Sequence, residues 1–419
     1  MAETQYSRLG ENLEPPIISD LMAQAIKNPD ILSIAAGFTD NAILPNRLLS
    51  DQIQALLQNN KSNDVLQYGT TQGREKLRTL ILEHLQSFPD ENRSLPISQV
   101  LISNGSQQSL YLAMQVLCNP GDIILVEDPS YFVFLEMLRG LNIQAIGLPS
   151  DHCGKTDIEK SRALLGDLKK QGKKDRIRGL YLVSYYSNPS SRSLPLHEKE
   201  AFLSLLEEFQ LEIPIIEDAA YRDLYYENPH EAPSILNIAH PKKHPVLYTS
   251  TFTKPLATGL KVGYAISNSE EWIQKMTYAK GHHDFGSAHF NQALIEQILA
   301  KNLYLDLLKK QQIHYLEKSR IMSNAMEASG IRELGWTWQE PRGGLLIWLI
   351  DPHERVDTDM GSEFCNACLK AGVLYVPGSL CFANKTPKNA MRLSFGTLTP
   401  DKLVTATERL CKIIKDFCA

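Results

Sequence analysis

The stretch Ser250-Thr251-Phe252-Thr253-Lys254-Pro255-Leu256-Ala257-Thr258-Gly259-Leu260-Lys261-Val262-Gly263-Tyr264 decides how the chain is read. It follows a short apolar run, residues 245–248, that reads as a strand. A single lysine among small hydroxyl residues at a strand end, then a glycine and a second cation, suits a phosphorylated aldehyde. The aldehyde needs one amine for a Schiff base. The phosphate needs hydroxyls and a nearby positive charge. Working outward, Ser187-Asn188-Pro189 and Glu217-Asp218-Ala219-Ala220-Tyr221 lie upstream. Asp218 follows a buried-strand pattern at residues 213–217. A carboxylate there is costly unless it meets a cation. Glu217 points to the opposite face of the same strand, so Asp218 is the candidate.

Apolar runs and helical patterns alternate on either side of this segment. Residues 100–103, 123–127, 143–148, 179–183, 213–217, 246–249 and 262–266 read as strands, and residues 73–86, 106–117 and 130–139 as helices. Continuous apolar strands separated by helices imply an α/β fold: a large lobe whose mostly parallel sheet is covered by helices on both faces. Ligands of such sheets sit at the carboxyl ends of strands, and Asn188, Asp218 and Lys254 each follow a strand. A long helix over residues 302–329 leads to a smaller α+β lobe. Its strands are expected at 336–351, 373–382 and 392–395, and its closing amphipathic helix at 400–417. The N-terminal stretch reads as an arm. Pro15-Pro16 precedes a helical pattern at 18–25, and residues 31–45 are irregular, with Gly37 as a turn point. The expected division is 1–60 for the arm and part of the small lobe, 61–300 for the large lobe and 301–419 for the small one.

Bulk properties exclude several classes. Hydrophobic residues make up 43% of the 419 and charged residues 22%, as in ordinary globular proteins. A net charge of −5 gives no electrostatic case for nucleic acid or an anionic membrane. The N-terminus lacks the pattern of a secretory signal, and no run is apolar enough to span a bilayer. Seven scattered cysteines suit a reducing cytoplasm better than a disulfide framework. Cys365 and Cys368 are the one close pair. They fit one helix face in residues 362–370, and no second ligand pair stands at zinc spacing, so no metal is expected. The basic stretch at 169–174 reads as an exposed loop or helix end.

Asn188, Asp218, Tyr221 and Lys254, in that order, resemble the pyridoxal-phosphate site of the class I/II aminotransferases. The resemblance runs from about residue 18 to the C-terminus. It is nearest to the subgroup with 2-aminoadipate and kynurenine aminotransferase-like enzymes, and to the aminotransferase-like domain of some bacterial transcription regulators. It implies an aspartate aminotransferase-like fold of type I, pyridoxal 5'-phosphate as cofactor and a homodimer with shared active sites. It also implies transfer of an amino group from an L-amino acid to a 2-oxo acid by a ping-pong cycle, through an internal aldimine at Lys254. A lyase or decarboxylase would keep the same cofactor, because fold does not decide the reaction. In the regulators a DNA-binding region precedes this domain. Here the match begins within the first few dozen residues, which is expected to leave no room for one.

The resemblance also distributes roles. Lys254 forms the Schiff base and moves the α-proton, and Asp218 meets the pyridinium nitrogen. Asn188 and Tyr221 bond the ring hydroxyl, and Tyr131 stacks on the ring. Gly105, Ser106 and Gln107, at a strand-to-helix turn, can hold the phosphate with backbone N–H groups, beside Thr251 and Thr253. Lys261 stands where relatives carry an arginine; it keeps the charge and loses the bidentate fork. Tyr68 matches a tyrosine that reaches the phosphate of the neighbouring subunit. Arg392 aligns with the arginine that takes the substrate carboxylate, and Gly37 and Asn188 border the substrate. Ala36 replaces a common glycine. Ser19-Asp20 stands where many relatives carry Arg-Glu, which weakens a reading for acidic side chains. His282 and His283 form an unusual polar cluster that reads as surface loop or as lining of a facing subunit's pocket.

Overall fold

The computed structural model describes residues 4–17, 28, 30–59 and 64–418. The helical pattern at 18–25, and with it Ser19-Asp20, lies outside the described residues. The strands are β1 (Leu32–Ser33), β2 (Val100–Ser103), β3 (Ile123–Glu127), β4 (Gln144–Leu148), β5 (Ile177–Val183) and β6 (Ile215–Asp218). They continue with β7 (Val246–Thr251), β8 (Gly263–Ser267), β9 (Leu346–Ile350), β10 (Val373–Leu374), β11 (Val376–Pro377) and β12 (Ala390–Ser394).

Seven of them form one sheet in the order β2-β8-β7-β6-β5-β3-β4. Strand β8 runs antiparallel to both its neighbours, and the remaining pairs are parallel. Strands β3, β6 and β7 are buried along their whole length, and β5 at all but Arg178. Ile215 and Ile216 of β6 pack into two different apolar clusters, one on each face. This is why these strands read as unbroken apolar runs with no alternation.

The C-terminal part forms a three-stranded antiparallel sheet, β11-β12-β9, which shares an apolar cluster with the mutually packed helices Leu303–Ala328 and Pro400–Cys418. Two strand expectations are corrected here. The run at 336–351 is a strand only at Leu346–Ile350, because Pro341 to Gly344 docks against the 224–226 segment instead. The Tyr226 amide donates to the Arg342 carbonyl at 3.1 Å, and the Gly344 amide to the Leu224 carbonyl at 2.8 Å. A side chain at Gly343 would lie 2.6 Å from the Leu224 carbonyl oxygen. The run at 373–382 splits into β10, β11 and a 3-10 turn at Gly378–Cys381. Gly378 lies so close to the Ala390 backbone that no Cβ fits.

The arm is stitched between the two sheets. Strand β1 pairs with β10 in parallel, and the Ser394 amide of β12 donates to the Ile34 carbonyl at 2.7 Å. Further on, Asp40 takes Lys318 at 2.7 Å and His314 at 3.0 Å, both from the long helix. Residues 34–40 are thereby held at both ends, and Ala35 and Gly37 lie in the middle.

Beneath β6, Glu217 takes Lys199 at 3.1 Å and the Ile235 amide at 2.9 Å, and both charged side chains are fully buried. Breaking such a pair leaves one uncompensated charge in a low-dielectric interior. Lys199→Met is therefore expected to lower unfolding stability by about 3–5 kcal/mol, measured by denaturant titration. A loss under about 1 kcal/mol would mean that Arg222, the other nearby cation, already compensates Glu217.

Candidate active site

The carboxyl ends of β5, β6 and β7 bring the candidate residues together. Asp218 is the last residue of β6 and almost fully buried. Its carboxylate accepts from the Tyr181 hydroxyl at 2.9 Å and from the Ala220 amide at 3.0 Å. Burial pushes its carboxyl up to about 6 against these two bonds, which favour the charged form. Glu217, one residue earlier, faces Lys199 on the other side of the sheet.

Lys254 follows β7 by three residues. Its ammonium donates to the Gly37 carbonyl of the arm and stands 5.8 Å from the centre of the Tyr221 ring. Burial brings its amine down to about 8, and the charges of Arg392 and Lys261 push in the same direction. Arg392 comes from β12 and is buried. It donates to Asn188 Oδ1 at 3.2 Å and to the Ala35 carbonyl, while its Nε has no hydrogen-bond partner. A side chain on Gly37 would lie 3.9 Å from the Tyr221 hydroxyl and 4.0 Å from Arg392 Nη2. Gly37, Tyr221, Arg392, Asn188 and Lys254 thus border one space. Burial pushes the Tyr221 hydroxyl up to about 12, so it stays protonated and can donate.

A second group surrounds the start of the helix Gly105–Leu117. Gly105 has φ +72, and a Cβ there would point at Thr253 Oγ1, 3.6 Å away, and Thr251 Oγ1, 4.0 Å away. The two threonine hydroxyls are 2.8 Å apart. Ser106 and Gln107 continue the first turn, whose N–H groups have no acceptor within a helix. Tyr131 reaches Gln107 at 3.4 Å. Lys261 is exposed, in a left-handed conformation with φ +53. Tyr68 stands apart: it is 80% exposed, on the surface beside the exposed Phe285, with ring centres 5.7 Å apart.

Comparison with known proteins identifies the family and the fold. Residues 35–410 match the family aminotransferase class I and II. The chain belongs to that family. It is 29% identical to the 2-aminoadipate transaminase of Thermus thermophilus, over 94% of this chain and 92% of that protein. The crystal structure of a Pyrococcus horikoshii kynurenine aminotransferase, in complex with PMP, superposes with a TM-score of 0.86 at 27% identity, covering 98% of this chain and 97% of that one. The crystal structure of an α-aminoadipate aminotransferase from Thermus thermophilus, complexed with N-(5'-phosphopyridoxyl)-L-leucine, gives 0.82 at 27% identity, covering 98% and 97%. The fold is that of the type I pyridoxal-phosphate aminotransferases, and the chain is a pyridoxal-phosphate-dependent transaminase.

The residues present fit that cofactor. A buried carboxylate without its own cation suits a protonated ring nitrogen, and an amine held near neutrality suits an aldehyde. The missing Cβ of Gly105 leaves room before two hydroxyls and a helix start, as a phosphate requires. Three features escape sequence reading. Tyr181 supports Asp218 from the adjacent strand. Glu127, with its carboxyl pushed by burial up to about 8, accepts from the Val183 amide at 2.9 Å and from Ser187 at 3.3 Å. Gly263 lets β8 pass the helix start, since a Cβ there would stand 2.5 Å from the Ser106 nitrogen. Only Gly263 left a sequence signal, a glycine opening a strand.

Asp218 gives a test that needs no cofactor. Its folded value of about 6 lies above the ordinary 3.8. Without cofactor it costs nothing below about pH 4, and stability falls as pH rises from about 4 to 6 and stays low above. Asp218→Asn can keep the bond from the Ala220 amide and meet the Tyr181 oxygen with its own amide hydrogens, and it removes the charge. The cofactor-free variant is expected to be more stable than the parent by ~3 kcal/mol at about pH 7.5 and equal to it at about pH 3.5. Denaturant titration at the two pH values checks this; equal stability at both would mean the charge is already compensated.

Proposed function

We propose that the chain moves an amino group from an L-amino acid to a 2-oxo acid by a ping-pong cycle at Lys254. What carries this reading is the meeting of Lys254 and Arg392 on either side of Gly37. An amine that can move a proton and a guanidinium that can grip a carboxylate border the same space. The bound cofactor supplies an electron-accepting ring. Asp218 keeps the ring nitrogen protonated. Asn188, whose oxygen is engaged by Arg392, offers its amide hydrogens to the ring hydroxyl together with Tyr221. Tyr131 covers the ring face. Gly105, Ser106 and Gln107 supply amides to the phosphate, with Thr251, Thr253 and Lys261 beside them. Arg392 takes the α-carboxylate of donor and acceptor alike. Lys254 takes the proton from the α-carbon of the donor and, in the second half of the cycle, delivers one to the α-carbon of the acceptor, each an intramolecular transfer.

Spectra of the purified protein test this. A single amino acid should abolish the visible cofactor band, and a single 2-oxo acid should restore it. Lys254→Ala should bind the cofactor yet show neither change and lose turnover by several orders of magnitude. Release of pyruvate or ammonia without an oxo acid would replace the transaminase cycle with a lyase.

The active unit is proposed to be a homodimer in a reducing cytoplasm. Two exposed aromatic rings, Tyr68 and Phe285, support a contact face. Seven unpaired cysteines support the compartment. Among the described residues no helix is long and apolar enough to cross a membrane. If Tyr68 serves the neighbour's phosphate, Tyr68→Phe and Lys254→Ala chains, each impaired alone, should complement when mixed. The hybrid then has one site with both defects and one with neither. No recovery after subunit exchange would confine Tyr68 to its own chain.

A further inference from the structure

Asp284 lies just beyond the helix Glu270–His283, between His283 and Phe285, and its carboxylate gathers four donors. Lys280 Nζ lies 2.8 Å from Oδ1. Oδ2 accepts Gln108 Nε2 at 2.8 Å, Asn104 Nδ2 at 3.0 Å and Ser287 Oγ at 3.1 Å. Burial pushes this carboxyl up, but the bonds from Lys280 and Gln108 outweigh it and hold it below the usual carboxylate range. Lys280 is itself tied to the Thr71 carbonyl at 3.1 Å. The carboxylate is thus anchored, charged and neutralised on one side, and aimed at the start of the helix Gly105–Leu117 on the other.

What it does there is unusual. Asn104 occupies the N-cap of that helix, and an asparagine at an N-cap ordinarily turns its own oxygen onto the second or third amide. Here it makes no such bond. Its carboxamide is drawn outward to Asp284 instead. Gln108 completes the arrangement. Its oxygen accepts the Asn104 backbone amide at 2.8 Å, and its nitrogen donates to Asp284 and to His283 Nδ1 at 2.9 Å. The first-turn amides, beside the cradle of Gly105, Thr251 and Thr253, are therefore left without the cap that the residue type would supply.

We propose that Asp284 is a positioning residue for the cofactor: by holding Asn104 and Gln108 it stops the helix from capping itself and keeps the first-turn amides open to the phosphate. This rests on the phosphate lying at that helix start. Once Asp284 is neutralised, the carboxamide of Asn104 swings in and competes with the phosphate for the same N–H groups. N-cap bonds of this kind are worth about 1 kcal/mol, so the competition should weaken phosphate binding by roughly fivefold to tenfold.

The test uses the cofactor-free protein and two probes, pyridoxal phosphate and pyridoxal, with binding followed by absorbance. Asp284→Asn keeps the shape but presents an amide to Asn104 and Gln108. It should weaken pyridoxal phosphate by about fivefold to tenfold and leave pyridoxal unchanged. Adding Asn104→Ala to it should restore most of the loss, because the competing cap is gone. Gln108→Glu, which sets two carboxylates face to face, should give the same selective loss should Asp284→Asn fail to fold. Equal weakening of both probes would make Asp284 a structural support only. A double variant no better than the single one would also overturn the proposal, since a purely structural loss is not repaired by removing a cap. Wild-type protein that takes up neither probe would remove the cofactor reading, and this proposal with it.

Discussion

A carboxylate at the end of β6, buried and left without a cation of its own, governs this structure. Asp218 is held by a tyrosine hydroxyl and one backbone amide, which orient it but do not offset its desolvation. Its neighbour Glu217, on the other face, has a lysine and further donors. The two adjacent acids therefore separate by role. One is internally compensated and serves the fold. The other is left to be compensated by what binds. Glu127 extends the logic, because its carboxyl near 8 stays neutral at about pH 7 and adds no second charge beside Asp218.

The cations show the same arrangement. Lys254 and Arg392 both donate to carbonyls of the arm, Gly37 and Ala35, and the charge of each disfavours the other's. Carbonyls are weak partners for buried cations, and Arg392 keeps a buried Nε without a partner. Under the proposed reading, a ligand carrying phosphate and carboxylate would resolve this surplus. The arm, pinned by β10, β12 and Asp40, ties residues from the N-terminal, central and C-terminal parts of the chain to one space.

The large sheet was legible because its inner strands are largely buried on both faces and leave unbroken apolar runs. Lys254, Asp218 and Asn188 were legible because each follows such a run. The small sheet was read as too continuous. Gly343, Gly344 and Gly378 end its strands through close approach to the Leu224 and Ala390 backbones, which no local pattern announces. The support of the site was not legible for a similar reason. Tyr181 meets Asp218 only because β5 neighbours β6, and Gln108 and Asp284 are 176 residues apart. Periodicity gives an element's face but not its neighbour.

Lys261 joins these threads. The family resemblance sets an arginine at this position, whose fork would hold a phosphate at two points. Lysine offers a point charge, and this one sits in a left-handed conformation that costs a residue with a Cβ about 1–2 kcal/mol. Nothing about its side chain fixes the direction of a phosphate. In the proposed site, direction would then come from rigid donors, the first-turn amides and the paired threonine hydroxyls. That shifts weight onto whatever keeps the helix start in place: Gly105 for the sharp entry, Gly263 for the strand that passes it, and the carboxylate of Asp284 that holds Asn104 and Gln108. With a lysine in place of the fork, small displacements of that turn matter more, because no second guanidinium bond remains to correct them.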